Sequence, residues 1–318
     1  MLPYIAIFVL SCLGIIFSSR WVIDSLRRMA HHLGWKEFVV AFFTASIGAV
    51  LPELFIGVRA ALEGVSELAL GNVMGQNIIL FTFSVALCAV VLGEITVQSR
   101  TVRAGTGFAV ISVILPFILL HNGMISRLDG VVLILAFLLY VRWLFKDEDR
   151  FMKNHEGQGH ERIKKKPHAL RDAGIALGGL LLVVFAAEGI IFSAGHFAEY
   201  MGVPIGVIGL VFVGAGVALP ETFLSLKLAL KGQCWMILGG LMGAIAMSST
   251  LVLGVVAIID PIVIDNFAPY SVGRFFLILS GVALWFFVRT SNKITRREAW
   301  VLFAIYALFL IFEFFIMK

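Results

Sequence analysis

Between clusters of charge, this chain is a succession of apolar stretches, each close to the roughly 20 residues that an α-helix needs to cross a bilayer. Cutting at those clusters gives ten spans, at about 2-24, 38-63, 67-93, 102-122, 129-146, 170-198, 203-230, 234-259, 270-290 and 298-316. The composition agrees. Of 318 residues 60% are hydrophobic and 14% charged, with a mean hydropathy of +0.99, whereas a soluble domain carries about a quarter of its residues charged. The expected fold class is an all-α membrane protein. Soluble enzymes, fibrous proteins, disordered chains and disulfide scaffolds are excluded before any motif is read.

Lysine and arginine collect on the cytoplasmic side of membrane proteins. Of 25 such residues, 21 lie in the loops that follow odd-numbered spans, and only Arg59, Arg127, Arg274 and Lys318 lie on the other side. Both termini are therefore expected outside, and the pI of about 9.2 needs no nucleic-acid partner. The long polar connection, residues 147-168, falls between the fifth and sixth spans and reads as a cytoplasmic linker. Its Lys164, Lys165 and Lys166 are a topology signal with some attraction for anionic lipid. A regulatory metal at His155 and His160 is the lesser reading. The first span lacks a basic leader and a cleavage site, so it reads as a retained helix; no lipidation motif is visible. Cys12, Cys88 and Cys234 sit in apolar stretches without CxxC spacing and read as small buried hydrophobes.

Shifting the chain against itself by 168 residues lays 48-79 over 216-247 without a gap, with 12 of 32 positions identical. Among the identities are Gly48/Gly216, Pro52/Pro220, Glu53/Glu221, Gly71/Gly239 and Gly75/Gly243. The chain is thus expected to be duplicated: 1-146 as a first repeat of five spans, 147-168 as the linker, and 169-318 as a second repeat. Five is odd, so the second copy enters the membrane upside down. Inverted repeats with Gly/Pro-interrupted helices at matching places are a transporter design, with the site near the midplane.

The two Leu-Pro-Glu segments concentrate the chemistry. Proline lacks an N–H and clashes with the preceding turn, so Pro52 and Pro220 are expected to kink or break their helices and free carbonyls near Gly48, Ala49, Gly216 and Val217. A carboxylate in mid-span costs on the order of 3 kcal/mol on the insertion scale, so it is expected to face a wet cavity and to have a task. Two inverted copies bring Glu53 and Glu221 together from opposite sides, a doubly negative site suited to a divalent hard cation such as calcium, which takes oxygen ligands. Arg59 and Lys227, each six residues further on, point about 240° around the helix and are expected to snorkel to the interface. Ser46 lies on the face of Glu53; Asn72 and Gln76 are one turn apart. Glu188 and Arg20, matched under the same shift, read as interface or interhelical anchors, and Glu94 and Glu313 as end-of-span snorkelling groups.

These residues resemble the calcium/cation antiporter superfamily, the sodium/calcium and proton/calcium exchangers. Its two repeats carry a pattern like G-T-S-x-P-E followed by G-N-x-x-G-S-N-x-x-N or D. This chain has GAVLPE with GNVMGQNIIL, then GVALPE with GGLMGAIAMS. The resemblance implies ten helices in two inverted halves. It implies exchange of Ca2+ or a related cation for Na+ or H+ by alternating access, with no permanently bound cofactor. The acidic ligands it implies are Glu53 and Glu221. The hydroxyls that precede them in the family are replaced by Ala49, Val50, Val217 and Ala218, and the later ligand positions are Gln76, Leu80, Ala244 and Ser248. Asn77 retains the second asparagine. Oxygens left to complete a site are those of Ser46, Asn72, Gln76, Asn77 and Ser248; helix–helix hydrogen bonding is the competing reading for the amides, and the favoured one for Ser249 and Thr250. The expected partners are transported cations and lipid, in a prokaryotic plasma membrane. A transport-inactive sensor or partner subunit, and a cation channel, are the alternatives; no grouping supports an enzyme.

Overall fold

A computed structural model describes residues 1–32, 37–97, 100–152, 169–232, 234–264 and 266–316. The linker beyond Met152, with His155, His160 and the lysine run, lies outside them, and so do the side chains of residues 26–49, including Ser46, and Gly48.

A helix bonds every backbone group within its own segment, which is what a bilayer demands of a chain this apolar. The first half runs α1 (Leu2–His32), α2 (Glu37–Leu62), α3 (Ser66–Ile79), a π-helical turn (Leu80–Ser84), α4 (Val85–Leu92) and strand β1 (Glu94–Thr96). It continues with α5 (Arg100–Leu119), a 3-10 turn (Leu120–Asn122), β2 (Met124–Ile125) and α6 (Arg127–Met152). The second half opens with α7 (Ala169–Met201), α8 (Ile205–Ile208), a π turn (Gly209–Val213) and α9 (Gly214–Leu230). Then come α10 (Cys234–Met247), a π turn (Ser248–Val252), α11 (Leu253–Ile259), β3 (Ile262–Val263), a 3-10 turn (Ala268–Tyr270), α12 (Ser271–Ser291), β4 (Lys293–Thr295) and α13 (Arg296–Ile316).

The 168-residue offset recurs in these boundaries. Ser66–Ile79 and Leu80–Ser84 map residue for residue onto Cys234–Met247 and Ser248–Val252, and Glu37–Leu62 onto Ile205–Leu230. The strands pair crosswise between halves: β1 is antiparallel to β4, with Glu94 opposite Thr295, and β2 to β3, with Met124 opposite Val263. Helices cross between halves as well, α5 and α6 lying on α10 and α11, and α12 and α13 on α3 and α4.

Among the described residues, seven helical segments are long and apolar enough to cross a membrane, where ten were expected. The shortfall has local causes. The apolar part of α1 is Leu2–Ser18, the described side chains of α2 begin at Val50, and residues 127–144 of α6 carry Arg127, Asp129 and Arg142. Leu135, Leu139, Phe185, Phe286 and Phe315 are exposed along the outer helices, as a lipid-facing surface requires. The chain is a multi-pass integral membrane protein.

Two cores hold the helices. The larger is built on α3, α4 and α10–α13, with Phe81, Leu253 and Phe309 buried in it. The smaller joins α1 and α7, through Cys12, Ile15, Val183, Ala187 and Ile190, to Ile56 and Ala60 of α2 and Val217 of α9. Close crossings rest on glycine. A methyl on Gly71 or Gly75 would run into the backbone of Gly206 or Leu210, so α3 and the α8 segment touch main chain to main chain, the small-residue mode of membrane packing.

Candidate cation-binding site

Of the two outcomes expected at Pro52 and Pro220, a kink or a break, neither helix is broken. α2 and α9 continue through both; a proline removes a single ladder bond, and a helix can absorb it by bending. The irregular turn in the second copy lies upstream, at Gly209–Val213. Gly216 serves close packing instead, since a methyl there would meet Cys12 Sγ at 2.8 Å.

The prolines precede Glu53 and Glu221, and both glutamates are enclosed. Glu53 is 0% exposed and Glu221 8%. α2 packs on α10, its π turn and α11, while α9 packs on α3, its π turn and α4, so each glutamate-bearing helix lies against the segment of the other half that matches α3 to α4 under the 168-residue offset. Their surroundings differ, however. Gln76 donates from Nε2 to Glu53 Oε1, whereas position 244, the equivalent of 76, is alanine.

Four side-chain oxygens from these residues are buried without a hydrogen-bond partner: Glu53 Oε2, Glu221 Oε2, Gln76 Oε1 and Asn72 Oδ1. Buried polar atoms are nearly always paired, so unpaired ones ask for a reason such as an ion or water. Asn77 and Ser248 are committed to each other and to a neighbour: Ser248 Oγ donates to Asn77 Oδ1 at 3.0 Å, and Asn77 Nδ2 donates to Ser249 Oγ at 2.9 Å. That network ties α3 to the π turn after α10. Thr82 and Thr250, 168 apart, bond back to Ile78 O and Ala246 O. The sequence reading missed the contact of Ser84 Oγ with Thr222 Oγ1, 2.7 Å, which ties the first π turn to α9 beside Glu221. Its signal was present, because Ser84 lies seven residues beyond Asn77 on the same face.

Among the described residues no three His, Cys, Asp or Glu side chains cluster as a metal cage. The oxygens available are two carboxylates and amides, a donor set for a hard cation rather than a transition metal. A cavity of about 450 Å³ opens at the start of α3, where Ser66 Oγ donates to Asp260 at 2.6 Å and Tyr270 Oη to Glu67 at 2.8 Å; its lining reaches neither Glu53 nor Glu221.

The sequence profile of the family described as sodium/calcium exchanger protein matches residues 3–146 and 172–315. The chain belongs to the sodium/calcium exchanger protein family. This is a family of membrane antiporters, not of enzymes. Inner membrane protein YrbG of Escherichia coli is 25% identical over 296 residues, 90% of each chain. Sodium/calcium exchanger MaX1 of Methanosarcina acetivorans is 24% identical, over 97% of this chain and 99% of its own. A structure of the sodium-calcium exchanger NCX_Mj soaked with 100 mM Na+ and 10 mM Sr2+ has a TM-score of 0.62 at 24% identity, covering 96% of both chains. The H+/Ca2+ exchanger CAX has a TM-score of 0.73 at 16% identity, covering 98% of this chain and 86% of that one. The chain shares their fold.

Other charges stand apart from the glutamate pair. Arg59, expected to snorkel, donates through Nη2 to Glu63 at 2.8 Å and to Glu188 on α7. Glu94 pairs with Lys293 at 2.9 Å. Glu313 does not snorkel: it is 0% exposed with both oxygens unpartnered, because it falls on the inward stripe of α13 with Leu302 and Phe309.

Proposed function

We propose that this chain is a secondary active transporter that exchanges Ca2+ or a related divalent cation for Na+ or H+ by alternating access, with the cation held between Glu53 and Glu221. The observation that carries this reading is the pair of enclosed glutamates, one from each half, each with an oxygen that lacks a partner. Asn72 and Gln76 add amide oxygens in the same condition. Calcium favours six to eight oxygen ligands, so water or backbone carbonyls complete its shell. The reading takes the chain as ten transmembrane helices in two inverted repeats, 1-146 and 169-318, joined by the cytoplasmic linker 147-168, with both termini outside a prokaryotic plasma membrane. The crosswise strand pairing and the reciprocal packing of α2 and α9 support the inversion. Solved neighbours named as a sodium-calcium exchanger and an H+/Ca2+ exchanger support calcium as cargo, with either counter-ion.

The test is calcium-45 uptake into vesicles holding the purified protein, under an imposed sodium or proton gradient. Gradient-driven uptake is expected, and Glu53→Gln and Glu221→Gln are each expected to reduce it at least about tenfold, as removal of one charge from a dehydrated pair requires. Uptake without gradient coupling identifies a channel instead; binding without flux identifies a sensor.

A further inference from the structure

Glu53 and Glu221 are restrained by different means. Gln76, of the same half, donates directly to Glu53. Among the described residues no side chain hydrogen-bonds to Glu221, and position 244, the equivalent of 76, is alanine. What the second half has instead lies one residue further on. Thr222 Oγ1 donates to the carbonyl of Ala218 at 2.8 Å. A hydroxyl has one proton to give, so in the 2.7 Å contact between Ser84 and Thr222 the serine donates. Ser84 is 0% exposed and Thr222 6%, which keeps water from competing for either bond.

The relay from Ser84 through Thr222 to Ala218 spans the turn of α9 that holds Pro220 and Glu221. Pro220 has no N–H for the carbonyl one turn back, so the backbone ladder is weakest just where the glutamate is carried. The far end of the relay belongs to the other half, since Ser84 closes the π turn Leu80–Ser84 on which α9 packs. The first half lacks this relay. Under the 168-residue offset Thr222 corresponds to Leu54 and Ser84 to Val252, both apolar. A methyl on Gly57, three residues beyond Leu54, would meet Val252 at 3.3 Å, so α2 meets the second π turn through apolar contact. Each half therefore has one polar restraint: a direct amide bond at Glu53, and a hydroxyl relay beside Glu221.

We infer that Ser84 and Thr222 are positioning residues for Glu221. Their relay braces the turn weakened by Pro220 against the opposite half, and it does for Glu221 what Gln76 does for Glu53. What Glu221 binds rests on the exchange reading above, but the brace can be read without any cation.

Dicyclohexylcarbodiimide, which modifies carboxyl groups in apolar surroundings, is applied to the purified, metal-free chain. Mass spectrometry follows labelling of Glu221, with Glu53 as the reference in the same molecule. Ser84→Ala and Thr222→Val are each expected to raise the rate at Glu221 about threefold, on the scale of one interhelical hydrogen bond in a membrane protein, and to leave Glu53 unchanged. Ser84→Thr keeps the hydroxyl and is expected to stay near the wild type. Ser84→Val with Thr222→Leu copies the apolar pair of the first half. This double variant is expected to keep the unfolding temperature in detergent, yet to label faster at Glu221 and to bind Ca2+ about three- to fivefold more weakly. Adding Ala244→Gln supplies a direct amide restraint and is expected to restore both.

An unchanged rate at Glu221 in the single variants overturns the inference. Equal acceleration at Glu53 and Glu221 is general loosening and overturns it too. A rate that responds as expected in a chain that binds no Ca2+ keeps the brace and rejects the exchange reading; Ca2+ binding with an unresponsive rate does the reverse.

Discussion

At Glu53 the amide of Gln76 covers one carboxylate oxygen and leaves the other bare, while Asn77, one position along, spends both ends of its amide on Ser248 and Ser249. The two neighbours therefore do different work. Gln76→Leu removes a hydrogen bond to a charged group, worth about 1.5–3 kcal/mol, together with a candidate ligand oxygen, and is expected to weaken calcium binding roughly tenfold. Asn77→Leu is expected to lower the unfolding temperature in detergent while leaving calcium affinity within about twofold, since a clamp and not a ligand is lost. Calcium titration and thermal unfolding of the two variants check this; equal losses of affinity would put Asn77 in the site. The enclosure of Glu53 and Glu221 was legible in the sequence because a mid-span carboxylate is costly and because the offset doubled it. The division between Gln76 and Asn77 was not, because it depends on packing: Gln76 meets Glu53 of its own half, and Asn77 meets Ser248 and Ser249 of the other.

Helix boundaries were legible to within a few residues over most of the chain, since apolar length and flanking charge decide where a segment enters and leaves a bilayer. The π turns at Leu80–Ser84 and Ser248–Val252 were not, because a single widened turn leaves no trace in composition. Prolines left a kink or a break open for the complementary reason: the residue is visible, but whether its helix breaks or bends is settled by neighbouring helices. Glycine spacing is where element-scale energetics can be tested. Gly75→Ala places a methyl against the main chain of Leu210, which cannot rotate away as a side chain could. Overpacking of this kind costs about 1–3 kcal/mol, and a lowered unfolding temperature in detergent is expected. Gly239→Ala is the control, for nothing lies within 4 Å of a methyl there, and it is expected to cause no loss. Equal destabilisation by both would contradict the main-chain contact between α3 and the α8 segment.

For the whole molecule, the halves supply one partner each to what matters: β1 to β4, β2 to β3, α2 to α10 and α9 to α3. The matching element boundaries were readable from the 168-residue offset, but the asymmetries were readable only as differences between positions 76 and 244 or 59 and 227 whose meaning needed the packing. If the two repeats build one shared site, a single divalent ion must depend on both. The most direct measurement is calorimetric titration of the purified chain with Ca2+, alone and with Glu53→Gln, Glu221→Gln and the double substitution. The account predicts one high-affinity Ca2+ per chain, lost on either single change. Binding that survives the double change, or that falls by independent halves with each single one, would contradict it.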